Sequence, residues 1–213
     1  MNINTKTGKF ISDALDATKI RPMLAHAEIS TKNVPGLPLR EGEGVIAATD
    51  GYRVHISIVT LNGAMGVVGL AKVDKEWTTI PPKPDTDGRR YPDYCAIIPT
   101  HNLTTAPLVD WPTISESTAK GLAKAEIWGT FKADTEGEKI RFTGFHKYGS
   151  ASMKNETAFG AIIINPLYVQ QAIAGMTNKL YMAFDTTRTG MRPVKIFSDN
   201  GNLAVLNAGQ PPK

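Results

Sequence analysis

The chain has 213 residues, of which 41% are hydrophobic and 21% are charged, with a formal net charge of +4. This length suits one large domain or two domains of about 100 residues, and the composition is ordinary for a soluble globular protein. No apolar run approaches the roughly 20 residues of a membrane-spanning helix, and the N-terminal MNINTKTGKF has no apolar core of a signal peptide. The single cysteine excludes an internal disulfide and predicts a reducing, cytoplasmic setting.

The first half of the chain predicts one helix and one pair of strands. Apolar residues near helical spacing predict a helix over Lys9–Leu24, which Arg21-Pro22 would end. Gly44–Thr49 and Arg53–Leu61 then predict a hairpin or bent strand pair around the turn-forming Asp50-Gly51.

A proline-rich stretch predicts the approach to a domain boundary. Pro81–Arg90 cannot continue a regular element, because proline lacks the N–H and fixes φ. We place the boundary near Pro99, which gives two domains of residues 1–98 and 99–213. Glu41–Thr49 and Glu136–Gly144 each set an acidic glycine turn before a strand, which suggests two related α+β domains, although such turns are common by themselves.

The second half predicts two helices and a series of strands. Thr113 and Glu116 have the spacing of a capping box, which predicts a helix over Ile114–Trp128. Asn165-Pro166 predicts a second helix start, with Asn as the cap, and this helix should end near Gly175-Met176. The predicted strands are Thr130–Ala133, Lys139–Phe145, Ala161–Ile164, Leu180–Asp185, Val194–Phe197 and Leu203–Leu206.

An enzymatic interpretation depends on Cys95, which could in principle pair with one of four histidines. Cys95 falls in an apolar, strand-like run, however, with no basic cluster to lower its pKa. The histidines and the single cysteine show no metal-ligand spacing, and no glycine-rich phosphate loop is present. The sequence therefore favours a binding module over a catalyst, with no cofactor and no metal.

Nucleic-acid binding has partial support from the mildly basic composition and from the predicted helices. Lys120 and Lys124 are four residues apart and share one helix face, opposite an apolar stripe of Ile114, Thr118, Leu122 and Ala125. Such a face fits contact with phosphates, although a merely solvated face is the more common explanation. Lys19 is a third candidate contact, although Asp13 and Asp16 share its face. No base-reading helix is evident, so any DNA contact should be non-specific.

Four motifs in order resemble one family. Ala48–Val54 (ATDGYRV) is similar to the A-T-D-G-H-R-L signature of the bacterial DNA polymerase III beta subunit, the sliding clamp. Tyr91–Tyr94 resembles that family's D-G-R-F-P-D-Y linker, and Ile164–Tyr168 resembles its F-N-x-x-Y-L helix start. The terminal strands Val194–Phe197 and Leu203–Leu206 stand where the family's chain ends.

The resemblance implies an α+β clamp fold of two domains, each an antiparallel sheet packed with one or two helices. They correspond to the family's second and third domains, and the first of them looks short by one helix. The family forms a six-domain ring that encircles duplex DNA and tethers polymerase in DNA replication. Three copies of a two-domain chain would complete such a ring with C3 symmetry. A monomeric, clamp-derived adaptor that binds peptides without encircling DNA is the alternative.

The resemblance also implies a short-peptide pocket for polymerase and other partners. The positions that match the family's pocket are Thr49, Tyr52, Arg53, Val54, Pro92, Ile97, Asn165, Tyr168, Met191, Pro193, Ala204 and Leu206. Asn165 is equally explained as a helix cap, Asp50-Gly51 as a turn and Tyr168 as core. Tyr52 replaces the family's histidine, Ala96 replaces a usual basic residue, and Leu206–Gly209 replaces the family's M-P-M-R, so the accepted peptide should differ.

Overall fold

The computed structural model describes residues 1–16, 18, 21–82, 90–152, 154, 160–176, 179–185, 192–199 and 201–208. It divides into two compact units. The first comprises Met1–Ile98 with Gly201–Ala204, and the second comprises Pro99–Asn200 with Val205–Lys213. Each unit combines β-strands with helices, so the predicted α+β class is confirmed.

The described part of the first unit, apart from its share of the final strand, is a six-stranded antiparallel sheet with one α-helix. Its elements are β1 (Asn2–Ile3), α1 (Thr5–Ser12), a 3-10 turn (Pro22–Ala25), β2 (Ala27–Ser30), β3 (Glu43–Thr49), β4 (Arg53–Thr60), β5 (Gly66–Val73) and β6 (Glu76–Ile80). The strand order is β1-β6-β5-β2-β3-β4. The predicted hairpin is confirmed, because β3 and β4 pair antiparallel from Glu43 opposite Thr60 to Thr49 opposite Val54.

The predicted first helix over Lys9–Leu24 is wrong in extent. The helix α1 begins four residues earlier, because Asn4 caps it by accepting the backbone N–H of Thr7 at 2.9 Å. It ends at Ser12, and a separate 3-10 turn forms where Pro22 supplies the fixed φ of a helix start. The buried face of α1 includes Phe10 and Ile11, which pack into the sheet.

The described part of the second unit has its own sheet and two helices of nine residues each, and residues 151, 152 and 154 are also helical. Its elements are β7 (Thr104–Val109), α2 (Glu116–Lys124), β8 (Ile127–Ala133), β9 (Ile140–Lys147), β10 (Ile162–Ile164), α3 (Pro166–Ala174), β11 (Leu180–Phe184) and β12 (Arg192–Ser198). The order is β12-β11-β7-β9-β8-β10, antiparallel except for a short parallel pairing of β7 with β9.

The final strand β13 (Asn202–Ala208) contributes to both units. Its first residues belong to the first unit, where the backbone N–H of Ile58 donates to the carbonyl of Gly201 at 3.2 Å. The Ser57 hydroxyl also donates to Asn202 Oδ1 at 2.5 Å. Residues from Val205 onward belong to the second unit.

The two predicted helices of the second half have different outcomes. The prediction for α3 is confirmed, with Asn165 Oδ1 accepting the Leu167 N–H at 2.9 Å and Pro166 in the first position. The capping box at Thr113 is wrong, because Ser115 is the cap and accepts the Thr118 N–H at 3.1 Å. Helix α2 also ends at Lys124, and Trp128 lies in β8.

Both units have closely packed apolar cores. Fully buried side chains of the first are Phe10, Ile11, Ile29, Ile46 and Ile56, and those of the second are Trp128, Phe131, Ile140, Ile164, Met182 and Phe184. Within the described ranges, no helix is long and apolar enough to cross a membrane.

His55, in the middle of β4, connects the sheet to α1. Its Nδ1 donates to the carbonyl of Phe10 at 2.6 Å, and its ring stacks on Phe10 with centroids 4.4 Å apart. The ring is fully buried and its Nε2 has no hydrogen-bond partner. Burial, together with the nearby Arg53 charge, lowers the pKa of His55 to about 3.

This buried histidine should make the stability of the protein depend on pH. The unfolded chain binds a proton at His55 below about pH 6.5, whereas the folded chain binds it only near pH 3. The free energy of unfolding therefore falls as the pH is lowered from about 6.5 to about 3. Asparagine at position 55 cannot titrate. We therefore expect the free energy of unfolding of His55→Asn to decrease by about 1–2 kcal/mol less than that of the parent chain when the pH is lowered from 7 to 5. Urea unfolding at both pH values measures this difference. His101→Gln, at an exposed position, is the control and should follow the parent.

Candidate partner-binding site

The motif Ala48–Val54 closes the β3–β4 hairpin, and its Asp50-Gly51 turn is confirmed. Asp50 Oδ1 accepts the backbone N–H of Tyr52 at 2.9 Å and of Arg53 at 3.1 Å. Gly51 has φ of +87°, a left-handed conformation that favours glycine. The turn is therefore fixed by the side chain of its own aspartate.

Two predicted pocket residues of this motif lie inside the first unit. The buried Thr49 hydroxyl donates to the carbonyl of Arg53 at 2.7 Å and accepts the Gly51 N–H at 3.0 Å. Val54 is 1% exposed and belongs to the core. Any effect of these side chains on a partner is therefore transmitted through the shape of the turn.

Arg53 is also buried, with 7% of its surface exposed. Its Nε donates to Asp50 Oδ2 at 3.1 Å, and its guanidinium donates to the backbone carbonyl of Asp13, just past the end of α1. Helix ends leave such carbonyls without intrahelical partners, so Arg53 satisfies one of them. Arg53 thus connects the turn to α1.

Asp50, Gly51 and Tyr52 of this turn are at least partly exposed, and Arg21 lies beside Tyr52. The Arg21 guanidinium donates to the carbonyl of Asp50, and its Cζ lies 6.0 Å from the centre of the Tyr52 ring. Its Nε also pairs with Asp16 Oδ2 at 3.3 Å, while 48% of its side chain remains exposed. Tyr52 and Arg21 together present an aromatic ring and a cation.

Sequence analysis missed Arg21 as a candidate site residue. Its place before Pro22 indicates only a helix end, and 29 residues separate it from Asp50. The separation hides the contact, because the intervening residues form the 3-10 turn, β2 and β3 before the chain returns. A partly exposed cation above a turn motif can be found only once the fold is known.

The linker Tyr91–Ile98 is fastened to the first unit by its two tyrosines. The Tyr91 hydroxyl lies 3.1 Å from the carbonyl of His26 and 3.3 Å from that of Ala47, and burial raises the pKa of Tyr91 above its usual value. The Tyr94 hydroxyl lies 3.0 Å from Ser30 Oγ. With both rings buried, the predicted pocket residues Pro92 and Ile97 are left exposed, Ile97 by 49%.

Cys95 lies in a 3-10 turn over Tyr94–Ile97 rather than in a strand. Its thiol donates to the carbonyl of Asn33 with Sγ 3.9 Å away, and burial raises its pKa, with a contribution from Asp93. A thiol with a raised pKa is a poor nucleophile at neutral pH. The described residues also contain no group of three His, Cys, Asp or Glu placed to hold a metal ion.

The second unit supplies the other predicted pocket residues. Asn165 is 2% exposed and is occupied as the cap of α3, whereas Tyr168 on the first turn of that helix is partly exposed. Pro193 on β12 is partly exposed and Leu206 on β13 is fully buried. Ala204, also fully buried, belongs to the first unit. Met191 lies outside the described residues.

The predicted DNA contacts are surface lysines of α2. Lys120 is exposed and its ammonium pairs with Glu116 Oε1 at 3.0 Å, and Lys124 is exposed in the last turn. The predicted apolar stripe is wrong in part, because Thr118 and Ala125 are exposed and Ala119 is the fully buried residue. Lys19 lies outside the described residues.

An open groove of about 480 Å³ in the second unit contains none of the predicted site residues. It is lined by Thr104, Lys132, Ala133, Asp134, Thr135, Glu136, Gly137 and Gly160. These side chains and backbone groups have mixed charge and surround the β8–β9 turn.

Known structures of bacterial clamps are similar to this chain. A DNA polymerase III beta chain from Streptococcus pneumoniae matches it with a TM-score of 0.53 and 15% identity, over 99% of this chain and 64% of that one. A beta sliding clamp from C. crescentus matches with a TM-score of 0.53 and 14% identity, over 99% and 65%. DNA polymerase III subunit beta from Borrelia burgdorferi matches with a TM-score of 0.50 and 14% identity, over 99% and 64%.

No protein-family model matches the sequence, and no curated protein matches it significantly. At these identities the structural similarity establishes the fold alone. The predicted DNA clamp fold is therefore confirmed. The chain spans slightly less than two thirds of the length of the clamps it matches.

Proposed function

We propose that the chain is a clamp-like processivity factor for a DNA polymerase, which encircles duplex DNA in the cytoplasm and performs no catalysis. The observation that supports this function is the similarity of 99% of the chain to the beta chain of a bacterial DNA polymerase III. The motif Ala48–Val54, which resembles the clamp signature, adds support, because its Tyr52 is partly exposed.

Encirclement by a two-unit chain requires self-association. Three head-to-tail copies supply six units and close with C3 symmetry, which a heterologous interface permits. The exposed Lys120 and Lys124 would then contact phosphates without reading sequence. Processivity in this arrangement comes from the closed ring more than from tight contacts, so a net charge of +4 is sufficient.

The assembly state tests this proposal. We expect sedimentation velocity of the purified chain to show a species of three copies, and we expect that species to stay on nicked circular DNA but slide off after linearisation. Lys120→Glu with Lys124→Glu should shorten retention on the circle and leave the sedimentation unchanged. A chain that stays monomeric at high concentration and shows no topology-dependent retention would contradict encirclement.

The second candidate is a monomeric clamp-derived adaptor that binds peptides without encircling DNA. The favouring observation is that the described part of the first unit contains one α-helix, whereas the described part of the second contains α2, α3 and the helical residues 151, 152 and 154. A shorter helical layer argues against a ring of the usual construction. This candidate predicts peptide binding with no retention on circular DNA.

Both candidates use a short-peptide site, to which we assign Tyr52 with Arg21 of the first unit. Tyr52→Ala with Arg21→Ala should weaken binding of a clamp-binding polymerase peptide by more than about 1 kcal/mol, since aromatic and arginine anchors dominate such interfaces. Fluorescence anisotropy with the labelled peptide measures this. Tyr148→Ala, which removes an exposed tyrosine directly after β9, is the control. Unchanged affinity in a folded double variant would refute the pocket.

A further inference from the structure

One face of the second unit's sheet has an aromatic and proline-rich surface that the proposed function does not use. Along β12, buried Val194 and Ile196 alternate with partly exposed Pro193, Lys195 and Phe197. The pairing register sets Tyr181 directly between Phe197 of β12 and Pro107 of β7. We call Pro107, Tyr181, Lys195 and Phe197 the aromatic face.

The rings of this face are held in place by one another. Tyr181 and Phe197 stack with centroids 5.4 Å apart and planes 18° apart, and both project from the interior of paired strands. Side chains on paired strands lose little further freedom when a partner binds, so their apolar area is available at low entropic cost. The aromatic face is therefore preorganised for contact.

Lys195 gives the face its charge. Its ammonium lies 5.1 Å from the centre of the Phe197 ring, and no carboxylate of the described residues is within ion-pair distance of it. Partial burial lowers the pKa of Lys195, and no acidic neighbour opposes this. A desolvated cation without a counterion is unfavourable until an anion is supplied.

We propose that the aromatic face binds an acidic, extended peptide segment of a partner protein, with one carboxylate on Lys195 and an aromatic side chain packed against Tyr181 and Pro107. A single cation selects one anion, whereas nucleic acid requires a row of phosphate contacts. Pro107 also has no N–H to donate to a phosphate. The flat ring surface and the isolated ammonium are therefore matched by an acidic aromatic peptide.

Fluorescence anisotropy with the full chain tests this site. The probe is a labelled peptide, Gly-Asp-Trp-Asp-Phe-Asp-Gly, compared with the same peptide with Asn at each Asp. We expect the acidic probe to bind, and Lys195→Glu to weaken it at least about tenfold, which corresponds to roughly 1.4 kcal/mol. Lys195→Arg should retain binding. Lys147→Glu, at an exposed lysine of β9 with the same charge change, should leave the affinity within about twofold.

Four results would overturn the proposal. These are no binding of the acidic probe up to millimolar concentration, equal binding of the amide probe, an equal loss in Lys147→Glu, and preferential binding of oligo(dT).

Self-association that Lys195→Glu abolishes would also overturn the proposal, because it would assign the face to a second copy of the chain. Tyr52→Ala should not change this affinity, so the proposed peptide pocket and the aromatic face can fail independently. Unchanged circular dichroism and melting establish that each variant is folded.

Discussion

Gly8→Ala is expected to lower the free energy of unfolding of the first unit by about 2–3 kcal/mol, the cost of overpacking a filled core. Gly8 is buried in the middle of α1, where the Trp77 ring of β6 lies directly against its backbone. A methyl group there would overlap Cβ, Cγ and Cδ1 of Trp77. Because the rigid ring base is fixed by β6, the helix would have to move away from the sheet.

The usual effect of this substitution has the opposite sign. Alanine inside a helix is favoured over glycine by about 0.5–1 kcal/mol, so the loss at Gly8 must exceed that gain. Gly121→Ala in α2 is the matched control, since no atom lies within 4 Å of a methyl group there. We expect Gly121→Ala to stabilise the protein slightly in the same urea titration.

The contact can be isolated by removing Trp77. In a Trp77→Ala background, Gly8→Ala should cost nothing or become mildly stabilising, and the coupling between the two sites is then the energy of the overlap. If Gly8→Ala destabilises both backgrounds equally, the cause is not Trp77. If it stabilises the parent chain as Gly121→Ala does, the close packing of α1 on β6 is refuted.

Elements whose local chemistry agrees with the fold could be predicted from the sequence. Asn165-Pro166 defines a helix start by itself, and α3 begins there. Asp50-Gly51 combines a side-chain acceptor with a residue that allows positive φ, and the turn forms there. In both cases one short stretch contains all the groups that its hydrogen bonds require.

Elements that depend on unusual local geometry could not be predicted from the sequence. The β5–β6 hairpin turns at Asp74 and Lys75, which have φ of 46° and 73° without any glycine to signal it. Tight hairpin turns with positive φ normally announce themselves with Asn-Gly or Asp-Gly. Strand β7 contains Pro107, which argues against a strand inside a sheet, yet it pairs with β11. In these strands, hydrogen bonding to neighbouring strands determined the structure and local propensity did not.

The candidate site shows the same division between local and distant causes. The motif identified the turn, but sequence similarity gave Thr49, Arg53 and Val54 the same standing as Tyr52. Burial separates them, since Arg53 is 7% exposed and Val54 1% exposed while Tyr52 is partly exposed. Arg21, which contacts Asp50 from 29 residues away, has no local signal at all.

Arg53→Met is expected to lower the free energy of unfolding by about 3–5 kcal/mol, the cost of removing one partner of a buried ion pair. The change keeps the apolar stem and deletes the guanidinium, which leaves Asp50 Oδ2 and the Asp13 carbonyl without that donor. The Asp50 side chain is only 14% exposed, so solvation cannot fully replace its lost bond. Urea unfolding at neutral pH measures the loss.

Arg141→Met provides the matched control in the second unit. Arg141 also pairs with an aspartate, Asp110, at 2.7 Å, but the two side chains are 49% and 55% exposed. Exposed pairs of this kind contribute at most about 1 kcal/mol. Equal losses in Arg53→Met and Arg141→Met would therefore contradict the buried connection between the turn and α1.

A second variant, Arg53→Lys, decides how Arg53 acts on a partner. If Arg53 only positions the turn, Arg53→Lys should recover part of the stability, because an ammonium can still reach one acceptor, and peptide affinity should recover in proportion. If Arg53 instead contacts the peptide, affinity should remain low in a variant whose stability has returned, because lysine cannot reproduce the planar fork. Since 7% of Arg53 is exposed and its donors already face Asp50 and Asp13, we expect stability and affinity to recover together.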